Sequence, residues 1–160
     1  MEKSYLLLGS NMGDRMEYLE KSREQLNRKA GKITKLSSVY ESEPWGFDSA
    51  WFLNQVVEME TGMDAPDLLK VIHGIEQEYG RQRKPGGYQP RTIDIDILFY
   101  GDQVIDMPDL IIPHPRIAER MFVLVPMAEL VPGMIHPVER LSLSDLKRQC
   151  PDQSIVKVIN

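Results

Sequence analysis

The stretch "PRTIDIDILFYG", residues 90–101, carries the alternation of a β-strand. Ile93, Ile95 and Ile97 recur at every second position, and β-branched residues suit a pleated strand with one buried face. Asp94 and Asp96 occupy the positions between them. Aspartate is depleted in strands and costly to desolvate unless it is paired or bound to a cation. Residues i and i+2 of a strand share a face and lie roughly 6.5–7 Å apart, so the two carboxylates point toward one place. Left alone they would repel and raise one another's pKa. Solvent, arginines or divalent cations relieve that, and Arg91 stands just upstream. A bare Asp-x-Asp is more often the solvated face of an edge strand. Here the following "ILFY" is apolar on both faces, which predicts an interior strand instead.

Reading outward from this strand, the loop 80–91 is rich in Gly, Pro and Arg, with Arg81, Arg83, Lys84 and Arg91 unrelieved by any acidic residue. Before it, Asp64 is an N-cap and Pro66 a first-turn residue. Leu68, Leu69, Ile72, Ile75 and Tyr79 form the buried stripe of a helix that Gly80 stops. "FLNQVVEMET" reads as a strand over 52–61, and "KITKLSSVY" as one strand over 32–40 leading into a loop with Pro44 and Gly46. A first helix is capped by Asp14 with Glu17 three residues on. It buries Met16, Leu19, Leu26 and Ala30 and solvates the charged run "KSREQLNRK". A first strand covers about Lys3–Leu8 and ends at Gly9.

The order β-α-β-β-α-β predicts an α+β, ferredoxin-like core: an antiparallel sheet with two helices packed on one face and the other face free for further structure. The last third is expected to be elaboration. It holds a short strand at "QVID" and a segment that Pro113, Pro115, Pro126, Pro132 and Pro137 bar from forming one long helix. A terminal helix plus strand follows around Leu143–Val158. No repeat, low-complexity tract or linker divides the chain, so 1–160 reads as a single domain.

A net charge of −5 and a pI near 5.2 argue against a non-specific nucleic-acid binder. One basic loop on an acidic protein suits a small polyanion better than a long one. No apolar run reaches membrane-spanning length, and "MEKSYLLLGSN" reads as a first strand rather than a signal peptide. Cys150 is the single cysteine, which excludes a disulfide framework and predicts a reducing cytoplasm.

Acidic oxygens beside basic donors fit a magnesium–polyphosphate site. Mg²⁺ takes one or two carboxylates plus phosphate oxygens and water, while Arg and Lys bind the phosphates. Two ions on one carboxylate pair would clamp an in-line phosphoryl displacement. No Walker-type or kinase glycine-rich motif is present, and "GSNMGD" at 9–14 is only a loose glycine turn. Phe52 and Asn54 share a strand face, a stacking ring beside an amide, and the nearby loop adds Trp45, Phe47 and Trp51. Phe122 is placed to close the other side of a sandwiched ring. His114, with Arg116 and Arg120 behind it, reads as a phosphate contact or proton donor. His136 reads as structural, and His73 as a helix-surface residue within reach of a nucleotide.

"GSNMGDR", "SSVYESEPWG", "FLNQVVEMET", "GRQRKPGGYQPRTIDIDILFYG" and "IPHPRIAERMFVLVPMAELVP" together resemble, in order, the signature segments of the 6-hydroxymethyl-7,8-dihydropterin pyrophosphokinases of folate biosynthesis. The resemblance implies transfer of pyrophosphate from MgATP to the pterin hydroxymethyl group, with release of AMP, on a ferredoxin-like fold. It assigns two Mg²⁺ ions to Asp94 and Asp96, and charge stabilisation to Arg81 and Arg91. It places Glu76, Arg83, Tyr88, Ile97, His114 and Arg120 toward ATP. Ser42, Glu43, Trp45, Phe52, Asn54, Asp94 and Phe122 fall toward the pterin. Ser42, Glu43 and Trp45 depart from the family's Thr-Pro-Pro-Leu version, so backbone contacts there should survive while side-chain roles change. Phe52 stands where Tyr also occurs, and Tyr88 where some members have Trp. The loops 41–51 and 80–91 are expected to close over both substrates.

A monomer acting on two small molecules is expected, with neither nucleic acid nor membrane as a partner. At this length no second folate enzyme is expected in the chain. An RNA-binding module would instead show basic residues and paired aromatics on its strands, and a Ca²⁺ domain a dedicated loop. A different Mg²⁺-dependent phosphoryl or nucleotidyl transferase is the enzyme alternative.

Overall fold

Strand β1 spans Glu2–Ser10 and runs on through Gly9, where a stop was expected. The computed structural model describes residues 1–44, 50–80 and 92–159, so Trp45, Arg81, Arg83, Tyr88 and Arg91, with most of the two expected closing loops, lie outside the described residues. β1 is the hub of the sheet. β4 (Phe52–Thr61) pairs antiparallel along one edge of it and β5 (Asp94–Tyr100) along the other. The run read as one strand over 32–40 is two, β2 (Lys32–Leu36) and β3 (Val39–Ser42), both paired with β4. The break has a polar cause. The Ser37 hydroxyl oxygen accepts the Val56 N–H at 2.9 Å, and the Ser38 N–H donates to the Glu129 carboxylate at 3.0 Å. β8 (Val156–Ile159) pairs with the outer edge of β3. Among the described residues the sheet is six-stranded, ordered β5-β1-β4-β3-β8 with β2 also on β4.

Helices α1 (Arg15–Lys29) and α2 (Ala65–Glu78) pack on one face, each started by its expected cap. Asp14 accepts the Glu17 N–H and Asp64 the Asp67 N–H, satisfying donors that a helix start leaves open. Leu19, Leu26, Leu68, Ile72 and Ile75 meet Leu6, Leu8, Val57 and Met59 there. The other face carries the further structure it was left open for. α3 (Met121–Leu130), α4 (Leu143–Gln149) and a 3-10 turn at Ile117–Glu119 cover Tyr5, Leu7, Val56, Leu98 and Phe99. Pro126 sits inside α3 instead of ending it. Burial of Leu124, Pro126 and Met127 offsets the one hydrogen bond the proline forgoes. The architecture is therefore α+β, an antiparallel sheet with helices on both faces.

The expectation that β5 is interior needs correcting. Among the described residues β5 pairs as a strand only with β1 and lies at the sheet edge. Its double burial has two other origins. Phe99 pairs with Tyr5 and Ile97 with Leu6, so Leu98 is the extra residue of a bulge. That turns Leu98 and Phe99 to the same side, toward α3, while Ile97 and Tyr100 face the other core. The outer edge is also occupied. The Ile95 N–H donates to the buried Glu76 carboxylate at 3.0 Å, and the His114 N–H donates to the Leu98 carbonyl at 3.0 Å. His114 reaches that edge from the ribbon of β6 (Ile105–Met107) and β7 (Leu110–Ile112).

Candidate active site

Cross-strand partners in an antiparallel sheet carry their side chains on one face. Gly9 is the partner of both Asp94 and Asn54, and Asn54 is also the partner of Tyr40. Asp96 is the partner of Leu7, which packs under α3. Both carboxylates and the Asn54 amide thus share the α3 face. Gly9 leaves the floor between them open. A Cβ there would lie 3.1 Å from Asn54 Nδ2 and 3.7 Å from the Phe52 ring. Its backbone is not left-handed, so the glycine serves space rather than conformation. Sequence reading took Gly9 for a strand end and missed this role.

The Ser42 hydroxyl donates to Asn54 Oδ1, and both side chains are buried. That bond orients the amide, with Nδ2 over Gly9. Phe52 and Phe122 are partly exposed, and the Arg120 guanidinium lies 5.5 Å from the Phe122 ring centroid. Glu43 turns away from this space. Its carboxylate accepts the Ile155 N–H at 2.8 Å and its own N–H donates to the Ile155 carbonyl at 3.3 Å.

Arg120 precedes α3 and is half-buried, with Asp96 and Asp94 within electrostatic reach. Burial lowers its pKa and Asp96 opposes that, but a guanidinium stays charged. Burial, chiefly, then Arg120, pulls His114 down to about 4 against the opposing charge of Asp94, with Arg116 adding to the fall. His114 is therefore neutral at pH 7. Its Nδ1 accepts the Arg116 N–H at 3.2 Å, which leaves the ring proton on Nε2 as a donor. In this state the Nε2–H can donate a hydrogen bond, as a phosphate contact requires.

A cavity of about 380 Å³ opens between α2, β5 and the β7–His114 segment. It gathers Glu76, Ile97 and His114, three of the residues expected toward ATP, with Asp96, expected toward Mg²⁺. His73, read as surface-facing, is on its wall, as are Leu69, Leu110 and Ile111, which were not singled out for a site. The signal for the last two was the proline-flanked "PDLIIPHP". Apolar walls with a few convergent polar groups are the usual lining of a small-molecule site. Among the described residues no group of three or more His, Cys, Asp and Glu forms a closed metal site. Two carboxylates on one strand face fit Mg²⁺, which completes its shell from phosphate and water.

Asp96 on the cavity wall with Arg120 within electrostatic reach, beside a slot with an amide and aromatic rings, fits a transferase acting on a polyphosphate and a flat acceptor. Comparison with known proteins agrees. The family described as 7,8-dihydro-6-hydroxymethylpterin-pyrophosphokinase (HPPK) matches residues 5–132. The 2-amino-4-hydroxy-6-hydroxymethyldihydropteridine pyrophosphokinase of Bacillus subtilis (strain 168) is 45% identical over 129 residues, 79% of this chain and 77% of that one. The protein of that name from Aquifex aeolicus (strain VF5) is 43% identical over 148 residues, 92% and 91% of the two chains. The Folic acid synthesis protein fol1 of Pneumocystis carinii is 39% identical over 159 residues, 99% of this chain but 21% of that protein. A solved structure of Plasmodium falciparum HPPK-DHPS with STZ-DHP superposes with a TM-score of 0.77 at 18% identity, covering 92% of this chain and 43% of that one, a likeness of fold alone. The chain belongs to the 7,8-dihydro-6-hydroxymethylpterin-pyrophosphokinase family.

Proposed function

We propose that this protein transfers the terminal pyrophosphate of ATP to the hydroxymethyl oxygen of 6-hydroxymethyl-7,8-dihydropterin, giving the pterin diphosphate and AMP in folate biosynthesis. The observation that carries this reading is the register that sets Asp94, Gly9 and Asn54 in one row, with Asp96 opening onto the 380 Å³ cavity. The pterin lies over Gly9 between Phe52 and Phe122, its polar edge read by the Asn54 amide that Ser42 orients. ATP occupies the cavity, its base against Ile97 and Leu110 and beside Glu76, its phosphates toward Asp96, Arg120 and His114 Nε2–H.

Asp94 and Asp96 hold two Mg²⁺ ions, which when bound neutralise phosphate charge and help align the triphosphate. Arg81 and Arg91 stabilise charge on the transferring group, and Arg83 and Tyr88 extend the ATP site. Trp45 and Glu43 belong to the pterin loop. The pterin hydroxymethyl oxygen bonds to the β-phosphorus as the bond from that phosphorus to the oxygen bridging the α-phosphate breaks, AMP leaves with that oxygen, and the hydroxyl proton passes to water. No residue of the row is asked to be a general base. Holding the acceptor oxygen in line with the scissile bond, within a preorganised field of charge, supplies the rate.

We read the core as ferredoxin-like, supported by the order β5-β1-β4 with β2 and β3 both on the far edge of β4 and α1 and α2 on one face. Residues after Gly101 are its elaboration within one domain. A single cysteine supports a reducing, cytoplasmic setting, and the reaction needs no second copy of the chain. No helix among the described residues is long and apolar enough to cross a membrane.

The test is an AMP-release assay with ATP, Mg²⁺ and the hydroxymethyl-dihydropterin on wild type and Asp96→Ala. Pterin-dependent AMP from wild type, lost in the variant, is expected. ADP in place of AMP would mean a simple kinase, and undiminished activity in Asp96→Ala would sink the metal assignment.

A further inference from the structure

Residues 151–159 lie beyond the segment matched by the family, yet they reach both walls of the pterin slot. On one side, β8 pairs with β3 so that Val156 meets Ser42 on the slot's face, while Lys157 meets Glu41 and Leu53 on the opposite, α1 face, behind the Phe52 wall. Ile155 adds the two hydrogen bonds to Glu43, at 2.8 and 3.3 Å. The Lys157 ammonium stands 5.2 Å from the ring centroid of Trp51, the residue before Phe52, and 3.7 Å from the Glu41 carboxylate. Arg15 completes this cluster, donating to Glu41 at 2.9 Å and to the Trp51 carbonyl at 2.8 Å.

On the other side, the Asp152 carboxylate accepts the Met121 N–H at 2.9 Å. Met121 opens α3 and immediately precedes Phe122. Arg120, in the capping position, makes no side-chain cap bond, so Asp152 supplies from a distance the acceptor that α3 lacks locally. Asp152 also accepts the Ser154 N–H at 2.9 Å, which ties its own segment into a turn directed at β8. Burial by itself would raise the carboxyl, but the bonds from Ser154 and Met121 hold it below the ordinary range.

We propose that residues 152–157 are a brace that sets the spacing of the Phe52 and Phe122 walls, with Asp152 and Lys157 as positioning residues for the flat acceptor substrate. The inference rests on the function proposed above. A ring held between two walls is sensitive to their separation, because dispersion contacts fall away steeply with a small gap. Neither residue lines the 380 Å³ cavity, but Asp152 caps the turn beside Arg120, so an effect on ATP is expected to be the smaller one. The brace's signature is a loss larger for the acceptor than for ATP.

The experiment uses the full chain as wild type, Asp152→Ala, Lys157→Met and Lys157→Arg. Kd for 6-hydroxymethyl-7,8-dihydropterin is read from its own fluorescence in the presence of a non-hydrolysable ATP analogue. Kd for the analogue, KM for each substrate and the melting temperature are measured alongside. Asp152→Ala is expected to weaken the pterin about tenfold, as loss of one cap allows, with a clearly smaller loss for the analogue, and Lys157→Met about threefold, the scale of an exposed aromatic–cation contact, with the analogue unchanged. Lys157→Arg keeps a cation over Trp51 and restores pterin binding. Unchanged pterin affinity in both variants, or equal weakening of both ligands, overturns the brace. If Asp152→Ala fails to fold, the Met and Arg pair at 157 decides. A wild-type chain without pterin-dependent AMP release would sink the functional reading itself, a result distinct from an active wild type whose variants match it.

Discussion

Asp94 and Asn54 stand on either side of Gly9, each its cross-strand partner, with nothing but hydrogen on the residue between them. Gly9→Ala would put a methyl 3.1 Å from the Asn54 amide nitrogen, closer than side chains normally come. The amide must turn, and its alignment by Ser42 is lost. We expect pterin affinity to fall about tenfold, the scale of one misdirected hydrogen bond. Melting temperature should hardly change, because the backbone at Gly9 is ordinary. Titration of pterin fluorescence against both proteins checks this, and equal affinity would remove Gly9 from the slot.

Asp96→Asn keeps the size of the side chain and removes its charge. Because that carboxylate lies beside Arg120 and on the cavity wall, AMP release should drop by roughly two orders of magnitude or more, the scale set by losing one preorganised electrostatic group. The Mg²⁺ concentration for half-maximal rate should rise, and chelation by EDTA should abolish activity in both proteins. A variant with wild-type rate and wild-type Mg²⁺ dependence would place the metals elsewhere.

The carboxylate pair was legible because period-two alternation ties Asp94 and Asp96 to one face whatever the sheet does. Helix caps at Asp14 and Asp64 were legible for a similar reason, since each acts within three residues. The edge position of β5 was not. A bulge at Leu98 mimics two-sided burial by turning adjacent apolar residues to one side, and only pairing with Tyr5 and Leu6 reveals it. The Gly9 floor, the Leu110 wall and the Asp152 cap were equally hidden, because each acquires its role from residues far away in the chain.

Glu76 joins the cavity to the outer edge of β5 by accepting the buried Ile95 N–H. Glu76→Gln retains an acceptor at that reach, whereas Glu76→Ala leaves the N–H without this partner. The alanine variant should lose about 1–3 kcal/mol of stability, the usual penalty for stranding a buried donor, and the glutamine variant clearly less. Urea unfolding of the three proteins tests the ordering. Equal losses for Gln and Ala would mean that charge, not the edge bond, is what Glu76 contributes.

His136 provides the pH dependence. It is buried, its ring stands edge-on to Phe99 at 5.4 Å, and its Nδ1 accepts the Val138 and Glu139 N–H groups at 3.1 and 3.0 Å. Protonating Nδ1 would break that turn. Burial, partly opposed by Glu139, accordingly holds the folded pKa below the ordinary 6.5. Between the folded value and 6.5 the unfolded chain binds the extra proton, so stability rises with pH across that window. The contribution is fully present above 6.5 and is lost as pH falls from there toward the depressed value. His114 contributes with the same sign, since its pKa is also lowered, so the two must be separated by substitution. His136→Asn keeps a side-chain acceptor for the turn but cannot titrate. Melting temperatures measured from about pH 7.5 down to about pH 5 should fall more steeply for wild type than for His136→Asn. Parallel curves would show that His136 carries its proton equally well in the folded and unfolded chains.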